Sequence, residues 1–215
     1  MLWKTLGGRC IHRSPNGTRI FDNYFFRWLT FDSNTLQTLL YKAAPHQWGL
    51  EYIQLLVLAA QETPGNTCLF GLGGGAAAHY LSRCLNQFQL SIVELDDEII
   101  QLASQFFMID QLSNLDIIHA EASHYANQCQ KKFQHILIDL FNADTFPATC
   151  NQDTFFIRCR EMLLPNGVLS INLANKIEQR IIFERITQVF SGNTISIPVK
   201  NCANIIVFAS NDKPT

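Results

Sequence analysis

Cys68-Leu-Phe-Gly-Leu-Gly-Gly-Gly-Ala-Ala-Ala78 is an apolar run that breaks into glycines and resumes as alanines. A short apolar run reads as a buried strand and the alanines as the start of a helix. The glycines between them mark a bend where backbone approaches something closely. Downstream the same alternation repeats. Apolar segments Thr67–Phe70, Leu90–Val93, Asp116–His119, His135–Ile138 and Val168–Asn172 read as strands. Helical patterns fall between them at Ala76–Leu85, Asp97–Phe107, Ser123–Cys129 and Asp153–Leu163. Apolar strands separated by amphipathic helices predict a mostly parallel sheet covered on both faces. A helix over Ile177–Phe190 is followed by Thr194–Val199 and Asn204–Ala209, close enough for an antiparallel hairpin closing the sheet's edge.

Upstream the character changes. A helix is predicted over Gly49–Gln61, where Leu50, Ile53, Leu56, Val57 and Ala60 share a face, and Pro64-Gly65 ends it. Before about residue 47 there are short β-branched and aromatic runs divided by Pro15-Asn16-Gly17 and Asp32-Ser33-Asn34. Asn-Gly between such runs is a hairpin cue. The expectation is a small antiparallel β appendage over 1–47, with strands at Thr18–Phe21, Phe26–Phe31 and Thr35–Tyr41, and a Rossmann-like α/β domain over 48–215.

The chain has 215 residues, 47% of them hydrophobic and 16 of them Phe, enough for a full core. A net charge of -2 without any Lys/Arg run argues against nucleic-acid or anionic-membrane partners. The N-terminus lacks the apolar stretch of roughly 7–15 residues of a signal peptide, and no run nears the roughly 18 residues of a membrane span. Seven scattered cysteines without a Cys-x-x-Cys pair, and histidines without ligand spacing, predict reduced thiols, no metal site and a cytoplasmic protein.

Four places carry candidate chemistry. In the glycine bend, Gly71 permits the turn, Gly73 and Gly74 beside Leu72 let a ligand approach backbone, and Gly75 or Ala76 lets helix and strand pack. Glu94, before Leu95, ends the next strand, where an acceptor-only carboxylate suits a ribose diol; Asp96 and Asp97 read as helix caps. Glu121 ends the third strand and suits an adenine amino group, with the Ala122 N–H facing a ring nitrogen. Asp139 ends the fourth strand, in the crevice at the sheet's carboxyl edge, where it reads as a general base or a positioner of the ligand. Asn142 and Asp144 on the following loop are weaker candidates. Glycine bend plus ribose carboxylate suits NAD as well as S-adenosylmethionine. The short length of chain after Glu94 favours the latter.

With these residues in order, and with Met162-Leu-Leu-Pro-Asn-Gly-Val-Leu169 leading into a strand, the chain resembles the class I S-adenosylmethionine-dependent methyltransferases. More narrowly it is similar to the spermidine synthase family. Arg27-Trp-Leu29-Thr-Phe31-Asp32 with Gln37, Glu51-Tyr52-Ile-Gln-Leu, Gly71–Gly75, Val93-Glu94-Leu-Asp96, Ala120-Glu121-Ala122, Ile138-Asp139 and Asn204-Ile-Ile-Val-Phe-Ala209 carry the likeness. That resemblance implies a seven-stranded methyltransferase-type sheet with an antiparallel last strand. It also implies Glu94 on ribose, Glu121 on adenine, Asp139 at the catalytic aspartate position and a homodimer. The sequence departs from the family's pattern at Gly74, where the Gly-Gly-Gly-Asp-Gly loop has Asp, and at Gln54, where Tyr-x-Glu has Glu. Asn142 falls in the family's Asp-Ser-Ser-Asp-Pro loop. Fewer carboxylates make methyl transfer from S-adenosylmethionine to a small acceptor the leading expectation. Asp139 and Tyr52 would be catalytic, and Gln37, Gln54 and Asn142 substrate-side. Aminopropyl transfer from decarboxylated S-adenosylmethionine and a non-catalytic nucleotide-binding module are the alternatives.

Overall fold

A computed structural model of the chain describes residues 5–31, 36–47, 49–82, 87–141 and 145–212. Two sheets organise it. The larger has seven strands in the order β10-β11-β9-β8-β5-β6-β7. Its centre is β5 (Thr67–Phe70), flanked by β6 (Leu90–Glu94) and β7 (Leu115–His119) on one side and by β8 (Phe133–Ile138) and β9 (Leu163–Leu173) on the other. These five run parallel, with Phe70 beside Val93 and Ile138. The closing hairpin, β10 (Thr194–Pro198) and β11 (Ile205–Ser210), reverses direction at β11, which lies antiparallel between β9 and β10. The mostly parallel sheet with its antiparallel last strand is thus as expected, but the last strand is interior and β10 forms the edge.

Burial on both faces explains why these strands read as unbroken apolar runs. Cys68, Phe70, Ile136 and Ile138 point into one core with α5 (Ala122–Gln128), α6 (Asp153–Met162) and α7 (Lys176–Val189). Leu69, Ile92 and Leu137 point the other way, against α1 (Glu51–Leu56), α2 (Leu58–Glu62), α3 (Ala76–Leu81) and α4 (Asp97–Phe107). The single helix expected over Gly49–Gln61 is two short ones meeting at Val57. The expected end of α3 at Leu85 lies outside the described residues. Strand β9 starts earlier than its apolar run, because a bulge takes up Pro165-Asn166-Gly167 before pairing resumes at Val168.

The smaller sheet is an antiparallel meander of four strands: β1 (Arg9–Arg13), β2 (Arg19–Asp22), β3 (Phe26–Thr30) and β4 (Leu36–Tyr41). Pro15-Asn16-Gly17 makes the β1–β2 hairpin, with Gly17 left-handed at φ 91°. Strand β1 was not expected, since Arg9-Cys-Ile-His-Arg13 is polar and mostly exposed. Trp28 and Leu39 pack with Leu50 and Ile53, while Ile20, Leu29 and Leu40 pack with Ile99, Leu102 and Phe107 of α4. The small sheet is therefore built into the same cores as the larger one. Among the described residues, no helix is long and apolar enough to cross a membrane, and no cluster of His, Cys, Asp or Glu could hold a metal ion.

Candidate functional site at the carboxyl edge of the sheet

The chain leaves β5 through a bend that only glycine can make. Gly71 (φ 94°) and Gly75 (φ 76°) are left-handed, and a Cβ on Gly71 would stand 2.3 Å from the Asp139 carbonyl oxygen. A Cβ on Gly75 would stand 2.6 Å from Ile109. The bend is anchored from below by the Gly71 N–H on the Val93 carbonyl (2.9 Å). From the small sheet, the buried Thr38 hydroxyl accepts the Gly74 N–H at 2.8 Å. A Cβ at position 74 would stand 2.7 Å from the Thr38 methyl and 3.1 Å from the Phe107 ring, so a larger residue there would require Thr38 to shift.

Beneath this bend opens a cavity of about 990 Å³. Of the residues singled out by sequence, Gly71, Leu72 and Gly73, Glu94 and Leu95, Glu121 and Ala122, and Asp139 line it, together with Gln37 and Tyr52. Gly74 and Gly75 are not among its lining residues, and Gln54 turns instead to the Tyr80 hydroxyl at 3.3 Å, within the α1–α3 packing. Asn142 and Asp144 lie outside the described residues.

Glu94 binds backbone on both sides. One carboxylate oxygen accepts the Leu72 N–H (2.8 Å) and the other the Asp96 N–H (3.0 Å). Each oxygen keeps a lone pair, so the group still fits a diol from the cavity. Asp96 caps α4 by accepting the Glu98 N–H. Glu121 caps α5 through the His124 N–H (2.7 Å), and also accepts the Ser123 and Thr149 hydroxyls. Burial pulls its carboxyl upward, but these hydrogen bonds outweigh it and hold the group below the usual carboxylate range. Beside it the Cys150 thiol is pushed up to about 12, first by burial and then by the Glu121 charge.

Asp139 is the deepest carboxylate of the cavity. Its two oxygens accept from the Tyr52 hydroxyl (3.0 Å) and the Asn172 side-chain amide (2.9 Å). Burial raises its carboxyl above the ordinary value of 3.8, and those two donors only partly offset the effect. The Tyr52 phenol is pushed well above its usual value by burial and then by the facing carboxylate. The phenol thus keeps its proton and donates it in a hydrogen bond to the carboxylate, at the half-buried floor of the cavity. Thr38, Thr149 and Asn172 were missed by sequence reasoning. Only Asn172 left a signal, as an amide within the apolar run Val168–Leu173.

The cavity carries four carboxylates, Glu94, Asp96, Glu121 and Asp139, and its described lining has no Lys, Arg or His. It is an acidic pocket at the point where strand order reverses, between β5 and β8, which is where open α/β sheets bind ligands. The class this defines is that of the S-adenosylmethionine-type transferases. Residues 50–206 match the spermine/spermidine synthase domain, and the chain belongs to that family. A polyamine aminopropyltransferase of Neisseria meningitidis serogroup A is 26% identical over 194 residues, covering 87% of this chain and 73% of that protein. The crystal structure of a probable spermidine synthase from Corynebacterium glutamicum superposes with a TM-score of 0.77 at 18% identity, over 92% of this chain and 78% of the other. Human methyltransferase-like protein 13, in complex with SAH, gives a TM-score of 0.63 at 19% identity, over 74% of this chain and 79% of the other.

Proposed function

We propose that the protein transfers an alkyl group from an adenosyl sulfonium donor to the nitrogen of a small amine held at Asp139, and that the group is aminopropyl. The observation that carries this is the acidic lining without a cation. A decarboxylated donor and an amine acceptor are both cationic, whereas the amino-acid tail of S-adenosylmethionine brings a carboxylate for which the described lining has no Lys or Arg. The names of the polyamine aminopropyltransferase relatives point the same way. The leading expectation from sequence, methyl transfer, becomes the second reading. It is favoured by Gly74, which stands where the resemblance implies an Asp, so one carboxylate that could pair with an aminopropyl ammonium is missing.

In this reading Glu94 holds the ribose and the bend beside Leu72 accommodates the donor backbone. Glu121 lies at the adenine end. Asp139 receives the proton of the acceptor ammonium, directly or through water, and Tyr52 holds the Asp139 carboxylate toward the acceptor. The freed amine lone pair forms a C–N bond as the C–S bond breaks, and the bond electrons leave on sulfur as a neutral thioether. Positioning supplies most of the rate, since no covalent intermediate is needed.

The test is to incubate the protein with putrescine and each donor in turn, and to identify the nucleoside product by mass spectrometry. Methylthioadenosine from the decarboxylated donor supports aminopropyl transfer. S-adenosylhomocysteine from S-adenosylmethionine transfers the case to the second reading. Neither product, with putrescine or across a panel of small amines, overturns both.

A further inference from the structure

Asp139, Asn172 and Asn204 lie side by side at the ends of three neighbouring strands. Asn172 is 1% exposed, follows Ile171, which pairs with Ile138, and faces Ile206 on the other side. Its amide nitrogen donates to the Asp139 carboxylate at 2.9 Å, and its amide oxygen accepts from the Asn204 side-chain nitrogen at 2.8 Å. Asn204 is itself fixed. Its carbonyl takes the Val199 N–H (2.9 Å), which closes the β10–β11 hairpin, and the Gln179 amide of α7 holds the adjacent Ala203 carbonyl (2.7 Å).

An amide has a donor end and an acceptor end of nearly the same size, so packing alone does not decide which end faces Asp139. The wrong end would set a carbonyl oxygen against a carboxylate. With Asn204 donating to the oxygen of Asn172, the nitrogen is left for Asp139. We infer that Asn172 and Asn204 form a two-amide relay that positions Asp139 and holds its carboxylate in the ionised, accepting state. Asn172 and Asn204 are thus positioning residues. Their role rests on Asp139 being the acceptor-side group of the proposed site.

The groups facing Asp139 are the Tyr52 hydroxyl from α1 and the Asn172 amide from β9; no charged partner is among the described contacts. With Tyr52 on one oxygen, the relay supplies the other half of the hydrogen bonding that opposes burial of the charge. An apolar residue in place of Asn172 removes that half outright. Removing Asn204 instead leaves the Asn172 oxygen without a donor and frees its amide to turn.

The experiment follows the Asp139 carboxyl carbon by NMR through a pH titration of ligand-free, carboxyl-labelled full-length protein, with the resonance assigned by Asp139→Asn. Asn204→Ala should raise the proton affinity of Asp139 about threefold, the effect of one neutral hydrogen bond at second hand. Asn172→Leu should raise it about tenfold or more, as a charge-assisted bond is lost. Asp22, in the small sheet, serves as internal control and should titrate as before. An Asp139 titration unchanged in a cooperatively folded Asn204→Ala protein overturns the relay. So does one that moves together with Asp22, which signals general loosening. Should Asn172→Leu fail to fold, Asn204→Ala decides alone. Because no turnover is read, a failure of the relay is distinguishable from a failure of the proposed transfer.

Discussion

Replacing Gly71 by alanine asks whether the close approach of the glycine bend to Asp139 is essential or incidental, and Gly192→Ala is its control. Both glycines are left-handed, Gly71 at φ 94° and Gly192 at φ 88°. They differ in what surrounds them. A Cβ at Gly192 meets nothing within 4 Å, whereas at Gly71 it lands 2.3 Å from the Asp139 carbonyl oxygen and 3.0 Å from its carbon. Gly192→Ala should therefore cost only the backbone strain, about 1 kcal/mol. Gly71→Ala adds a steric overlap with backbone that cannot rotate away, for a total of about 3 kcal/mol. For a protein of this size about 1 kcal/mol corresponds to roughly 2–4 °C of melting temperature. The control should melt about 3 °C low and Gly71→Ala about 9 °C low. Relief of the overlap requires the bend to shift away from β8, which moves Leu72 and the Glu94 carboxylate bonded to it, so Gly71→Ala should also lose donor affinity while the control keeps it. Circular-dichroism melts and calorimetric titration read both effects. Equal melting temperatures and equal affinities in the two variants would show that the 2.3 Å approach constrains nothing.

Thr38→Val removes the acceptor for the buried Gly74 N–H at nearly constant volume. It should cost about 1–3 kcal/mol in chemical denaturation, and no loss would mean that the amide finds another partner. Glu94→Gln keeps a side-chain oxygen for one of the two backbone amides but loses the charge and one acceptor. Donor binding should weaken by about 2 kcal/mol, near 30-fold in calorimetry, with the melting temperature moving far less. Asp139→Asn should abolish transfer yet stabilise the fold at neutral pH. The folded protein holds the Asp139 proton more tightly than the unfolded chain, so the stability cost of ionising it appears as pH rises through the raised value and is absent below the ordinary 3.8. The variant's advantage should be present at about pH 7 and gone at about pH 3, and an advantage independent of pH would assign it to something other than ionisation.

The order of elements was readable from residue 67 onward because strand burial on both faces writes itself as unbroken apolar runs. Glu94, Glu121 and Asp139 were readable for a related reason: each is the first acid after such a run, at the sheet edge where ligands collect. What the sequence hid depends on contacts between distant segments. Strand β1 pairs only through β2 and stays polar, so no periodicity marks it. Thr38 meets Gly74 across 36 residues, and nothing local distinguishes it from any half-buried strand threonine. The place of β11 inside the sheet, rather than at its rim, is set by which neighbour it pairs with, and hydrophobicity is indifferent to that choice. Gln54 is a substrate-side candidate only through the resemblance to the Tyr-x-Glu motif, and the structure turns it to the Tyr80 hydroxyl because residues two apart on a helix point in different directions.

The bond between Thr38 and Gly74 ties strand β4 of the small sheet to the glycine bend, and that link works in both directions. A ligand that clamps the bend from within the cavity should also steady the fourth strand of the meander, an expected outcome that amide exchange and limited proteolysis of the N-terminal strands would measure. Binding of the proposed donor should therefore be readable from the small sheet without knowledge of the acceptor.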